Sequence, residues 1–387
     1  MSSIVIQGDT SGSITVEAPS VAGTHTLTLP KATGNIATDA TVGLGTKNRI
    51  INGDMRIAQR GTSFTGLSVE YGLDGWKCNL DLAGAATASQ DTDVPSGQGF
   101  SYSQKVQVTT AATYATTQQA FIEHLIEAQN ISHLSYGTAS AKSLTASFWV
   151  KSNVTGTFIV WFYRPDDGRS ISKSYTIDAA NTWEKKTITI EGDTSGSDIP
   201  SDNGDGFHLR FVLDAGPSFD GTLTDTWQSV PTTGRYAGQS NLYVSTSNYI
   251  NITGVQLEVG ENATPFENRM YSQELAMCQR YYWKIAEGSG QMLGLASYYT
   301  SGGVLLYVQS PSPMRNTPTV DQVNGTDYYG FERNGAVDGL GGSFALYRFN
   351  GVGCQLYTTS GASGTAGQSG VLWTNNAASY IALTAEL

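Results

Sequence analysis

Charge is scarce in this chain: only 14% of its 387 residues are Asp, Glu, Lys or Arg, and the 22 basic residues form no cluster. Nucleic-acid binding needs a basic stripe that neutralises phosphates, and a formal charge of −11 opposes it. No apolar run of about 18 residues occurs, so no membrane insertion is expected. The opening MSSIVIQGDTSG lacks the basic flank and apolar core of a secretory signal, which points to synthesis in a cytoplasm. Cysteine is equally thin. Cys78, Cys278 and Cys354 are far apart and odd in number, so they define neither a disulfide framework nor a zinc site of short ligand spacing. Buried free thiols are expected, with one long-range bridge left open. His25, His124, His133 and His208 stand apart from one another, and neither a GxSxG elbow nor an HExxH pair occurs. Nucleophilic and zinc chemistry therefore lack their parts.

What is abundant points elsewhere. Glycine (44), tyrosine (20) and seven tryptophans favour short strands and tight turns over charged amphipathic helices. The expected class is all-β, and the length favours two or three domains. The first segment, 1–45, alternates in short runs (SIVIQ, GSITVEAP, GTHTLTLP, GNIAT) separated by turn residues. Ile4, Ile6, Ile14, Val16, Leu27, Leu29 and Ile36 are nearly its whole apolar stock, so it must borrow a core from copies of itself or from a partner. Residues 39–48, small and polar, read as a linker.

From 46 to 268 about ten apolar-alternating runs follow, among them SLTASFWVKS, TGTFIVWFYRP, GFHLRFVLD and YINITGVQLEVG. That number of strands in one block suits a two-sheet β-sandwich or jelly roll. One run breaks the pattern. In QQAFIEHLIEAQNISHL, Phe121 with Leu125 and Ile122 with Ile126 recur at helical spacing, which predicts a short bridging helix, with a strand at this place as the alternative. A linking helix is expected within 269–286, with Ser272 as N-cap and Leu275, Cys278 and Tyr282 on one face. Residues 287–387 return to Gly- and Ser-rich strands and read as a C-terminal, distal β-domain.

Particular stretches resemble a known group. GDTSGSITVEAPSVAGTHTLTLPKATGNIA is similar to the N-terminal attachment repeat of bacteriophage tail fibre proteins. NRIINGDMRIAQRG with YGLDGW, and ITGVQLEVGENATPFENRMYSQELAMCQRYYWK, resemble the central module of many such fibres. The resemblance touches much of residues 1–284. It implies a trimeric fibre with a jelly-roll middle module like that of carbohydrate-binding modules, held on the phage tail or baseplate through residues 1–45. Residues 285–387 match no motif, as befits a host-facing end. The resemblance carries no sugar-contacting residue and no receptor.

Sugar recognition uses aromatic faces against the apolar faces of pyranose rings, with amides and carboxylates taking the hydroxyls. The central candidates are Trp161 and Tyr163 on one strand face, and Trp227 with Tyr236 in the long loop after Asp214. Distal candidates are Tyr328, Tyr329, Tyr347, Tyr357 and Trp373, set among Gly, Ser, Thr and Asn. The ligand-binding set is Trp227, Tyr236, Tyr357 and Trp373, against the plainer reading that such aromatics are core or plug a threefold axis. No cofactor is expected, although Asp193, Asp198, Asp202 and Asp205 in one loop could hold a structural calcium ion without an EF-hand spacing. Glu184 and Glu191 flank KKTITI but point to opposite faces of a strand, so they do not form a glycosidase pair. The expectation is a non-enzymatic virion fibre, a homotrimer that adsorbs to a bacterial surface glycan. The alternatives are a structural baseplate, collar or capsid-decorating protein, or a polysaccharide depolymerase.

Overall fold

A computed structural model describes residues 3–7, 13–17 and 47–387. The chain divides into a unit of Met1–Val42 and a unit of Gly43–Leu387. In the first, β1 (Ser3–Gln7) and β2 (Ser13–Glu17) pair antiparallel, Ser3 opposite Glu17. The runs GTHTLTLP and GNIAT, His25 among them, lie outside the described residues.

The second unit is all-β apart from one α-helix and a few 3-10 turns among the described residues. Its first thirteen strands are β3 (Ser63–Phe64), β4 (Ser68–Tyr71), β5 (Trp76–Asn79), β6 (Ala85–Asp91), β7 (Ser103–Thr110), β8 (Gln119–Glu127), β9 (Leu144–Ser152), β10 (Gly156–Arg164), β11 (Arg169–Ile177), β12 (Glu184–Ile190), β13 (Asp205–Ala215), β14 (Gln228–Ser229) and β15 (Tyr249–Val259). They form two antiparallel sheets, one of seven strands in the order β14-β11-β10-β13-β8-β5-β4 and one of six in the order β12-β9-β15-β7-β6-β3. Alternation explains the sandwich. Leu144, Ala146, Phe148 and Val150 of β9 and Phe207, Leu209, Phe211 and Leu213 of β13 enter one shared core.

The helix expected in QQAFIEHLIEAQNISHL is instead strand β8, followed by 3-10 turns at Ala128–Asn130 and Ser132–Leu134. The reason is burial on both faces. Ala120 to Glu127 are all buried, because β8 sits in the middle of its sheet with its outer face covered as well. Such a strand loses its period of two and reads like a helix.

Helix α1 spans Tyr271–Gln279, shorter than the 269–286 expected. Met270, not Ser272, is its N-cap, and no side chain caps it; the Met270 carbonyl accepts the amides of Gln273 and Glu274. Its buried residues are Glu274 and Cys278. Tyr282 already belongs to the next strand, so the expected apolar face of Leu275, Cys278 and Tyr282 does not exist as a helix face. With Cys278 enclosed inside the chain, that face is not the seam of a helical trimer.

The helix instead locks the two motif-bearing segments together. The Asn52 amide donates to Glu274 Oε1 at 2.5 Å, and Arg269 donates to Glu274, to Glu267 and to the carbonyls of Ile50 and Asn48. Asn48 Oδ1 accepts the amides of Ile50 and Leu257, and Asn52, at φ 55°, closes its own turn through Ile57. At Gly53 a Cβ would lie 2.1 Å from the Val255 carbonyl oxygen, so no other residue fits there.

The last ten strands are β16 (Tyr282–Glu287), β17 (Met292–Thr300), β18 (Gly303–Gln309), β19 (Thr319–Val323), β20 (Tyr329–Arg333), β21 (Ala336–Leu340), β22 (Ala345–Phe349), β23 (Gly353–Thr358), β24 (Ser369–Thr374) and β25 (Tyr380–Thr384). A three-stranded sheet, β16-β25-β19, faces a seven-stranded one, β21-β20-β24-β17-β18-β23-β22, over a second core that includes Tyr298, Leu306, Phe331, Leu356 and Leu383. Arg60 bridges the two cores: its guanidinium lies 3.5 Å over the Tyr282 ring and pairs with Glu386 at 2.6 Å. Cys78, Cys278 and Cys354 are buried free thiols, and the optional bridge does not form.

Candidate functional site

Between β11 and edge strand β12, with the loops after β12 and before β14 closing its ends, lies a cleft of about 620 Å³. Arg169, Lys173, Glu191, Asp193, Asp225 and Trp227 are among its lining. Trp227 is half-buried. Its ring packs edge-on to Tyr136 at 5.8 Å and tilts against Phe207 at 6.1 Å, so the sandwich core holds the indole from behind. Its Nε1–H donates to the Glu191 carbonyl at 2.8 Å, which fixes the ring's rotation.

The wall opposite is rigid. Asp193 takes Arg169 bidentate at 2.6 and 2.9 Å and Arg164 at 2.5 Å. Burial pushes the Asp193 carboxyl up, but the hydrogen bonds of Arg169, the Ser195 amide and Arg164 outweigh it and hold the carboxyl below the usual carboxylate range. The expected calcium loop is thereby divided. Asp202 caps the Gly204 amide, Asp205 binds His208 and Asp198 is exposed. Among the described residues no three His, Cys, Asp or Glu converge on one point. The four aspartates do not fit a calcium ion, because a cation at Asp193 would have to displace two guanidinium groups.

Tyr236 offers nothing to a ligand, being only 1% exposed. It forms, with Ile159, Trp161, Val212 and Phe219, a small core on the outer face of the seven-stranded sheet, roofed by the loop after β13. Trp161 stacks on Tyr163 at 4.7 Å, and Arg210 sits 4.6 Å over the indole. The reason is charge. Arg210 and Glu123 are directly opposed on β13 and β8 and both are buried, so the face needs an aromatic lid that accepts a cation.

His208 completes this network, with Nε2 2.6 Å from Asp205 and Nδ1 3.3 Å from Glu123. Burial pulls the imidazole down, but the hydrogen bonds and charges of Asp205 and Glu123 raise it above its ordinary value. A raised folded-state value means stability that is complete below the unfolded value of about 6.5 and is lost as pH rises through the folded one. The urea midpoint is therefore expected to fall between pH 6 and pH 9, and by less in His208→Gln. An equal fall in both proteins would show that the imidazole does not carry the effect.

The distal candidates fall differently. Tyr329 is fully buried, its hydroxyl on the Tyr380 carbonyl at 2.9 Å. Tyr357 and Trp373 both face outward from the distal seven-stranded sheet, Trp373 over Gly330 and Tyr357 beside Tyr347 at 6.1 Å. Leu295 (75% exposed), Met292, Tyr299, Tyr307 and Val337 are exposed on other strands of the same sheet, β17, β18 and β21. The face is broad and apolar rather than concave. Glu184 and Glu191 serve separately, Glu184 accepting the Asp178 and Ala179 amides and Glu191 lining the cleft.

Sequence reasoning missed a second cleft, of about 420 Å³, lined by Phe100, Trp149, Phe266 and Lys185 among others. The signal was present in SLTASFWVKS, where Trp149 takes an outward position between inward Phe148 and Val150. Its ring partners come from loops distant in sequence and could not be assigned to it.

No family model matches the chain, and no curated protein matches it. Among solved structures it is similar to the enzymatically active domain of tailspike protein 4 of bacteriophage CBA120, at 15% identity and a TM-score of 0.29 over 55% of this chain and 21% of that one. It thus spans about a fifth of the tailspike chain. It is similar to TmCBM61 in complex with β-1,4-galactotriose, at 11% identity and a TM-score of 0.28 over 56% of this chain and 100% of that one. The N-terminal cellulose-binding domain of β-1,4-glucanase C from Cellulomonas fimi gives 10% identity and a TM-score of 0.27, over 52% of this chain and 97% of that one. Likeness at this level transfers no ligand and no activity.

Proposed function

We propose that the protein is a virion fibre that binds a bacterial surface glycan, with a sugar ring seated against Trp227 in the edge cleft. The observation that carries this is the placement of Trp227: a half-buried indole, clamped by Tyr136, Phe207 and the Glu191 carbonyl, in a cleft lined mostly with carboxylates, hydroxyls and cations. An apolar pyranose face stacks on the ring while Asp225, Glu191 and Thr226 take the hydroxyls. Attachment to a phage tail through residues 1–45 is proposed from the resemblance of that segment, and the absence of catalysis from the missing catalytic pairs.

The same proposal includes a homotrimer, closed through the outward face of the distal seven-stranded sheet. Seven strands of about five residues make a face of about 30 by 17 Å, about 500 Å² in plan before side-chain relief is counted, against about 800 Å² per partner in a standard interface. Its strands send to this face one acid, Glu332, and one base, Arg348. In a chain of net charge −11, copies meet with least repulsion here. This face also favours the second reading, a structural virion protein without a receptor, because Tyr357 and Trp373 would be consumed in assembly.

Binding of the full chain to immobilised surface polysaccharide of candidate hosts separates the two. Trp227→Ala is expected to lose about 2 kcal/mol, about thirtyfold in affinity. Because the indole also touches the core, Asp225→Asn serves as a second variant and thermal unfolding as the control. If the wild-type chain binds no polysaccharide, or both variants bind as it does, the edge-cleft reading fails.

A further inference from the structure

We propose that the second cleft, on the outer face of the six-stranded sheet, binds a carboxylate-bearing pyranose, the acidic unit of a surface polysaccharide. Strand register builds it. Trp149 of β9 lies directly opposite Lys185 of β12 on one side and Thr253 of β15 on the other, so the indole and the ammonium share one face. The ladder of β15 is interrupted between Thr253 and Gln256, and Gly254 there has φ 61°. A Cβ at Gly254 would lie 2.5 Å from the Phe100 ring. Glycine thus lets Phe100 settle onto the backbone, where Phe266 meets it edge-on at 5.1 Å. The result is a site with three aromatic rings, one lysine, and the amides of Gln98 and Asn268 at its rim.

Charge decides the ligand. No Asp or Glu lines this cleft, and Lys185 makes no ion pair among the described residues. The carboxylates nearest in sequence are engaged elsewhere: Glu184 accepts the Asp178 and Ala179 amides, Glu258 the Thr264 amide and hydroxyl, Glu267 the amides of Lys47 and Asn48, and Glu261 lines the edge cleft. The edge cleft is the reverse. It has four acids, Glu191, Asp193, Asp225 and Glu261, against two bases, Arg169, which pairs with Asp193, and Lys173, which donates to the Asp225 carbonyl. An anionic sugar is repelled there and attracted to Lys185, while a neutral one suits the edge cleft. Aromatic faces without a cation would serve any pyranose; the lysine set opposite the indole selects a ring that carries a carboxylate. Uronic and nonulosonic acids share that chemistry.

The inference takes from the proposed function only the class of ligand; its residues are different. The full chain is titrated calorimetrically, and by saturation-transfer NMR, with tri-galacturonate, with N-acetylneuraminic acid and with neutral galactotriose. At least one acidic probe is expected to bind, more weakly as salt rises, with galactotriose leaving this cleft untouched. Lys185→Gln, an exposed substitution that leaves the core intact, should weaken the acidic probe by about tenfold and flatten its salt dependence. Trp149→Ala should abolish binding, and Trp227→Ala should leave it unchanged. Binding of tri-galacturonate alone identifies a uronate, and of N-acetylneuraminic acid alone a nonulosonate. The proposal is overturned if neither acidic probe binds, if Lys185→Gln binds as wild type, or if Trp227→Ala abolishes binding while Trp149→Ala does not. That last result would leave the edge cleft standing.

Discussion

Glu274→Ala is expected to cost the fold about 3–5 kcal/mol, the largest single effect predicted for this chain. The carboxylate is buried on α1 and accepts the Asn52 amide at 2.5 Å and Arg269 Nη1 at 3.3 Å. Arg269 in turn donates to the carbonyls of Ile50 and Asn48, and Asn48 ties itself to Leu257 on β15. Removing the carboxylate leaves a buried guanidinium short of its counter-charge and a buried amide without an acceptor, both of which are expensive. Glu274→Gln should cost less, since its amide oxygen still accepts from Asn52. Urea unfolding of the three proteins checks this; an alanine variant within about 1 kcal/mol of wild type would show that the network does not hold the segments together. The network lies within NRIINGDM and ENRMYSQE, whose buried polar residues here serve the framework.

Leu295→Asp combined with Tyr307→Asp is expected to leave the chain folded and monomeric. Both side chains stand on the outward face of the distal sheet, on neighbouring strands β17 and β18. In an isolated chain the substitutions place carboxylates in water at little cost. In an assembly they bury two like charges per copy, weakening association on the order of a hundredfold or more. Sedimentation should give a trimer for the wild-type chain and a monomer for the variant, with unchanged circular dichroism. A wild-type chain that remains monomeric at every concentration, or a variant that assembles equally well, would remove the assembly role from this face.

Much of the fold was legible because alternation is a local property. SLTASFWVKS, GFHLRFVLD and YINITGVQLEVG each form a strand, since the apolar residues that enter the sandwich core recur at every second position, while TGTFIVWFYRP forms one as a short aromatic and β-branched run covered on both faces. Residues 119–127 show where that logic ends. Their alternation disappears because the strand is covered on both faces, the second by Arg210 over the Phe121 ring and by Arg280 and Tyr281, which donate to Glu127. The helix signal at Tyr271–Gln279 was sound, but its buried face was not readable. Glu274 is inside because Arg269 and Asn52 come to it, and a charged residue cannot announce such partners from sequence.

Trp227 and Tyr236 show the same division on the scale of a site. Both belong to one long loop, and composition treats them alike. The loop folds over a buried Arg210–Glu123 pair, which draws Tyr236 down as a lid and donates to its hydroxyl at 3.2 Å, while Trp227 is left at the edge where two sheets part. Asp193 was picked out as a calcium ligand and turned out to be the counter-ion of two arginines from strands β10 and β11. By itself, then, the sequence determined the all-β class, the strands whose single buried face writes a period of two, and the lack of catalytic and metal motifs. Only the tertiary structure decided which aromatics are lids, which are floors of clefts and which stand exposed. Those roles depend on charges and backbone from distant segments, and no local pattern carries them.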